Sequence, residues 1–131
     1  MEHEENQYLD LIKTIIENGS DEEGRNGSVR VHIGASMRFS LKDNTIPFLT
    51  TKRLAWKTCL KELLWFMRGD TNNKHLKAEN VHIWDDNGSR EFLDSRGLQH
   101  LEEDDLGPVY GHQWRYFNAP YSDCNSNYTG Q

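Results

Sequence analysis

Apolar positions return along this chain in two helical stripes, separated by polar and turn-rich sequence. Tyr8, Leu11, Ile12, Ile15 and Ile16 follow the three-and-four spacing of one helix face. They predict an amphipathic helix that stops at Asn18-Gly19, where either residue tolerates left-handed geometry. Residues 20–28 (SDEEGRNGS) read as a polar connection. Val29, Val31 and Ile33 then alternate with Arg30, His32 and Gly34, which predicts a half-buried strand running on through Met37 and Phe39. Ile46-Pro47 makes the stretch from Asn44 to Thr51 extended or turning.

The helical period returns from Arg53. Trp56, Cys59, Leu60, Leu63, Leu64 and Met67 lie on one stripe, and Trp65 and Phe66 widen it. The pattern predicts a helix buried on most sides, ended by Gly69. Asp70 or Thr71 can cap a short helix near 72–79, and Ser89 another near 90–95 that stops at Gly97. Residues 99–106 (QHLEEDDL) read as an acidic surface loop, and Val109 to Phe117 as a strand. Residues 118–131 are polar and aperiodic, with no helix or strand to tie them down. Helices and short strands without a regular βαβ rhythm place the chain in the α+β class, with helices on a mixed β-sheet.

Composition narrows this reading. With 35% hydrophobic residues over 131 positions and a mean hydropathy of −0.87, the apolar content is thin for an independent core. A net charge of −6 argues against a broad nucleic-acid surface, while leaving room for a small anion held by a few local cations. No apolar run is long enough for a membrane span, and the acidic start MEHEENQ is unlike a signal peptide. Two cysteines, Cys59 and Cys124, make neither a disulfide framework nor a metal site, so a reducing, cytoplasmic location is expected.

Spacing alone gives no enzyme signature: no phosphate loop, serine elbow or metal-ligand pattern stands out. The unusual feature is polar groups in odd places, with Glu62 inside an apolar helix and Tyr110 flanked by glycine-rich sequence. Longer strings say more. Arg25-Asn26-Gly27, Met37-Arg38-Phe39, DNTIPFLTTKR (43–53), ELLWFMRGDTN (62–72), IWDDNGSREFLDSRG (83–97), DLGPVYGHQWRYF (105–117) and YTGQ (128–131) follow one another in this order. So ordered, they resemble successive blocks of thymidylate synthase, and the resemblance covers about residues 5–131, read as one partial domain over 1–131.

The resemblance implies an activity, reductive methylation of dUMP to dTMP with 5,10-methylenetetrahydrofolate as co-substrate, and a homodimeric state. It also implies roles. Arg25 matches the arginine on the dUMP phosphate, for which a guanidinium fork is suited. Glu62 matches the glutamate that organises water and protons near the pyrimidine O4; its apolar neighbours favour burial, which raises a carboxyl pKa unless the group is paired. Trp84 matches the tryptophan that holds the folate during hydride transfer, and Tyr110 the tyrosine at ring-proton abstraction. Ile83, Asn87 and Lys52 match folate contacts. The plain alternatives are a solvated arginine, a core tryptophan, a capping asparagine and a surface lysine.

Two departures accompany the match. The Arg25 loop is a residue shorter than the family's usual form, and Ala55 stands where members carry a larger ring at the folate site. The family nucleophile lies in a Pro-Cys-His context downstream of the YTGQ block, and no Pro-Cys-His occurs among these residues. Cys59 reads as a small core residue and Cys124 as part of a polar tail, so neither is expected to be the nucleophile. The isolated 131-residue chain is therefore expected to be inactive. The alternatives are a non-catalytic module that pairs with a full-length synthase subunit and, less favoured, a fragment related to dCMP hydroxymethylase.

Overall fold

The computed structural model describes residues 3–130, which form two compact units that divide between Leu54 and Ala55. In the first, α1 spans Asn6–Asn18. Helix α1 ends as the stripe predicts, but not in a left-handed turn: Gly19 is extended at φ −69° and ψ 151°. The reason is immediate. The supposed connection is itself a strand, β1 (Ser20–Gly24), paired antiparallel with β2 (Gly27–Val31) through Ser20↔Val31 and Gly24↔Gly27. Its all-polar sequence hid it, because both strands are almost wholly exposed and no face needs apolar alternation. The expected strand through Met37 and Phe39 stops at Val31 for the same lack of a partner.

Polar side chains hold this unit together. Arg30 donates from Nη1 to the Ile16 carbonyl and from Nη2 to that of Gly19, both at 2.8 Å, closing the carbonyl end of α1. At the other end, the Gln7 amide both donates to the Arg38 carbonyl (2.7 Å) and accepts from the Arg38 N–H (2.9 Å). Glu4 accepts from the Ser40 N–H.

The second unit is helical. Helix α2 is Trp56–Met67, α3 Asn73–Ala78, α4 Asp85–Gly88, α5 Arg90–Ser95 and α6 Tyr110–Arg115. Its core joins Trp65, Phe66, Leu76, Val81 and Leu106, with Trp84 and Val109 packed against it. Helix α2 therefore buries the flank bearing Trp65 and Phe66, while Cys59, Leu60, Leu63, Leu64 and Met67 are exposed. The expectation of a helix buried on most sides, with Cys59 in the core, is corrected. Gly69 ends α2 at φ +76°, as expected of a left-handed cap. Ser89 caps α5 through the Phe92 N–H, and Asn72, rather than Asp70 or Thr71, caps α3 through the Lys74 N–H.

Three further expectations change here. Within residues 109–117, Tyr110–Arg115 form α6 instead of a strand. Gly111 explains the placement: a Cβ there would collide with the Asp70 backbone, so α6 docks on the turn after α2 through a residue without a side chain. Gly111→Ala is expected to lower stability by about 1–3 kcal/mol through overpacking; an unchanged urea midpoint would contradict this. The acidic 99–106 segment is no surface loop, since Leu101, Asp104, Asp105 and Leu106 are buried.

The polar tail is also tied down, without helix or strand. The Asp105 carboxylate accepts from the Tyr121 hydroxyl (2.6 Å), the Gly107 N–H (2.9 Å) and the Cys124 N–H (2.9 Å). Buried Tyr128 stacks on Tyr121 and accepts at its hydroxyl from the N–H groups of Ser122 and Asp123. The class is α+β as expected, the sheet being a two-stranded antiparallel hairpin. No helix among the described residues is long and apolar enough to cross a membrane.

Candidate active site

In the second unit, the helical spacing that buries Trp65 and Phe66 leaves Glu62 at the boundary of the core, half-buried rather than enclosed. Its partner comes from the segment before α4. The Trp84 indole Nε1 donates to Glu62 Oε1 at 2.8 Å, so one carboxylate oxygen is fixed by a single neutral donor. The other oxygen accepts no hydrogen bond among the described residues and is available to water or to a ligand.

Tyr110 stands at the start of α6 with more than half its surface exposed. Its ring meets Trp84 at a centroid distance of 6.3 Å. Both rings meet Phe66 edge-on, at 5.4 Å for Tyr110 and 6.3 Å for Trp84. Phe66 is thus the buried hub on which the two site aromatics are set. Sequence reading took it as core only. Trp114 was missed as well: one turn along α6 from Tyr110, it joins the same hub at 5.5 Å and is 56% exposed. The signal is the Tyr110 to Trp114 spacing, which on a helix puts the two one turn apart on one face, whereas a strand, though it also puts them on one face, separates them by about 13 Å.

Ile83 and Asn87 flank Trp84, and both present their side chains outward, Ile83 from the loop and Asn87 from α4. Glu62, Trp84 and Tyr110 therefore belong to one neighbourhood of the second unit, with Ile83 and Asn87 exposed on the segment that carries Trp84. Asp85, between them, is structural: Asn73 Nδ2 and His82 Nδ1 bond to its carboxylate, and the first of these, more than the second, holds its pKa below the ordinary value.

Arg25 and Lys52 belong to the first unit. Arg25 sits with Asn26 at the two-residue tip between Gly24 and Gly27, exposed and without an ion pair among the described residues. Lys52 is exposed, with Nζ 5.4 Å from the centre of the Tyr8 ring. Directly before it in sequence, Thr50 and Thr51 are gripped by Glu5. Their hydroxyls, the Thr50 hydroxyl foremost, and their N–H groups lower the Glu5 carboxyl pKa to about 2 despite its burial. Because the folded value lies below the unfolded one, the resulting stabilisation is present above pH 4.5 and lost as pH falls towards 2. The Thr50 and Thr51 amide resonances are expected to move over that interval; a flat titration would contradict the clasp.

The two cysteines lie in different surroundings. The Cys124 thiol is pushed up to about 11 by burial and by the neighbouring Asp105 charge, leaving little thiolate at neutral pH. Cys59 is exposed on α2.

Exposed indole and phenol faces beside an anchored carboxylate define a surface suited to a flat, hydrogen-bonding heterocycle. The sequence model of thymidylate synthase matches residues 6–130. The chain belongs to the thymidylate synthase family. It is 55% identical over 130 residues to the bifunctional dihydrofolate reductase-thymidylate synthase of Leishmania amazonensis, covering 98% of this chain and 25% of that protein. A probable thymidylate synthase of Schizosaccharomyces pombe is 54% identical, with 98% and 21% covered. Thymidylate synthase of Agaricus bisporus is 48% identical, with 98% and 44% covered. The chain thus spans between about a fifth and under half of the length of these relatives.

Proposed function

We propose that this chain forms one wall of a thymidylate synthase active site, which converts dUMP to dTMP with 5,10-methylenetetrahydrofolate. The observation that carries this reading is the Glu62–Trp84 hydrogen bond set beside Tyr110 on the Phe66 hub. A carboxylate with one oxygen fixed and the other open can relay a proton through an ordered water. Tyr110 and Trp114 offer exposed aromatic surface, Trp84 a partly buried ring and Ile83 an exposed apolar side chain, on which a flat pterin could rest. Tyr110 carries the phenol proposed for the ring-proton step. Arg25, at an unpaired hairpin tip, suits the dUMP phosphate, and Lys52 suits an anionic part of the folate. Ala55 brings no ring to this set, so folate is expected to bind less tightly than where a ring packs against it.

The methyl transfer itself needs a thiolate to add to the pyrimidine; burial and the Asp105 charge disfavour the thiolate at Cys124, and neither Cys59 nor Cys124 stands in a Pro-Cys-His context. The 131-residue chain is therefore proposed to be inactive alone, and to need the Pro-Cys-His segment and a second subunit from further synthase polypeptide. Incubated with dUMP and 5,10-methylenetetrahydrofolate, the purified chain is expected to yield no dTMP; turnover would overturn this assignment of roles. The exposed Leu60, Leu63, Leu64 and Met67 on α2 favour a second reading, a module that pairs with a synthase subunit in the cytoplasm. Co-purification with such a subunit is its test, and a chain that stays alone counts against it.

A further inference from the structure

We propose that Glu5 is a positioning residue for Lys52, acting through Thr50 and Thr51, with the Tyr8 ring as the rest on which the ammonium is set. Its link to folate rests on the function proposed above. Glu5 is 5% exposed and lies at the start of α1, 45 residues before the segment it holds. Four donors converge on its two oxygens. The Thr50 N–H (2.7 Å), the Thr51 N–H (2.9 Å) and the Thr51 hydroxyl (2.8 Å) reach Oε1, and the Thr50 hydroxyl (2.5 Å) reaches Oε2.

Few arrangements fix a non-helical segment so fully. With the N–H and the hydroxyl of two successive residues tied to one anion, neither residue can rotate without breaking a charge-assisted bond. Lys52 is the next residue, so the direction in which its side chain leaves the backbone is set by the clasp. Tyr8, three residues after Glu5 and so on the same side of α1, receives the ammonium at 5.4 Å. One helix therefore fixes the backbone before Lys52 through Glu5 and the tip of its side chain through Tyr8. A long, flexible and exposed lysine gains a defined reach from two contacts that touch no ligand themselves.

A carboxylate is required, because it only accepts. Glutamine would turn an NH₂ donor towards the threonine donors and leave part of the set unmatched. The test is carried out on the full chain by NMR, reading the Lys52 ε-methylene protons, which the Tyr8 ring current moves upfield. Glu5→Gln is expected to return them towards the shift of a free lysine, while cross-strand contacts between β1 and β2 persist. Tyr8→Leu is expected to abolish the upfield shift but leave the Thr50 and Thr51 amide resonances in place, which keeps the test decisive if Glu5→Gln unfolds.

An upfield Lys52 signal that survives Glu5→Gln in a folded chain overturns the proposal, as does its absence from the native chain. Titration with 5-formyltetrahydrofolate is the second reading, with affinity expected to fall about tenfold in Glu5→Gln and dUMP affinity unchanged. Should the native chain fail to bind this folate, the proposed function fails in that respect, while the Lys52 signal still decides whether Glu5 positions it.

Discussion

Glu62→Gln, placed in a synthase whose matched segment has been replaced by residues 6–130 of this chain, is expected to lower kcat by about 10²–10⁴-fold. The substitution is chosen to separate position from proton chemistry. Trp84 Nε1 donates to Glu62 Oε1, and a glutamine side-chain oxygen can accept the same bond. The indole, the Phe66 hub and the exposed face of Tyr110 then stay as they are. What changes is the second oxygen, which becomes an amide nitrogen that can neither take up nor release a proton near neutral pH. The loss belongs in kcat, with KM for dUMP little moved, because a step rather than a contact has been removed. A kcat within about threefold of the parent would show that Glu62 is only a hydrogen-bond anchor for Trp84.

Trp65→Ala is expected to have the largest effect on stability, about 3–5 kcal/mol for a large aromatic removed from a core. Trp65 is fully buried and is the largest such side chain in the molecule. It packs on Phe66 at 5.1 Å, and its Nε1 donates to the Asn72 carbonyl at 3.2 Å, just where α3 begins. Alanine would leave a cavity and remove one of the two hydrogen bonds to the Asn72 carbonyl, which still accepts from the His75 N–H. Because Phe66 in turn carries Trp84 and Tyr110, loosening should reach the site before global unfolding does. Denaturant unfolding followed by far-ultraviolet circular dichroism measures the first effect; a loss below about 1 kcal/mol would mean that the core collapses around the gap.

The parts of the fold that could be read from sequence were those whose stabilising contacts lie within a few residues. Helix α1 and helix α5 with its Ser89 cap are set by local spacing and local hydrogen bonds, and the structure has them where the pattern places them. The parts that could not be read depend on distant partners. Strand β1 has no apolar face, so only its pairing with β2 reveals it. Residues 109–117 have strand-like aromatics, yet the absence of a side chain at Gly111 lets them dock as a helix on the Asp70 backbone. Likewise, the acidity of residues 102–105 suggests solvent, whereas buried Asp105 gathers two donors from the tail, the Tyr121 hydroxyl and the Cys124 N–H, besides the Gly107 N–H.

The site divides along the same line. Glu62, Trp84, Ile83, Asn87 and Tyr110 are proposed through ordered strings resembling a known family, and the structure puts Glu62 and Tyr110 against Trp84. Phe66 and Trp114 were missed because packing against those residues is what gives them their place. Glu5 was missed because its clasp closes on a residue 45 positions away in sequence. Polar residues that hold a backbone from afar leave no periodicity.

The most direct test of the proposed wall is dTMP formation by Agaricus bisporus thymidylate synthase with its matched segment, 48% identical, exchanged for residues 6–130 of this chain. The exchanged enzyme is expected to turn dUMP over with a raised KM for 5,10-methylenetetrahydrofolate, as Ala55 requires, while the 131-residue chain assayed beside it gives no product. A folded, dimeric exchange enzyme without turnover would contradict the assignment of these residues to the site. So would dTMP formed by the chain alone.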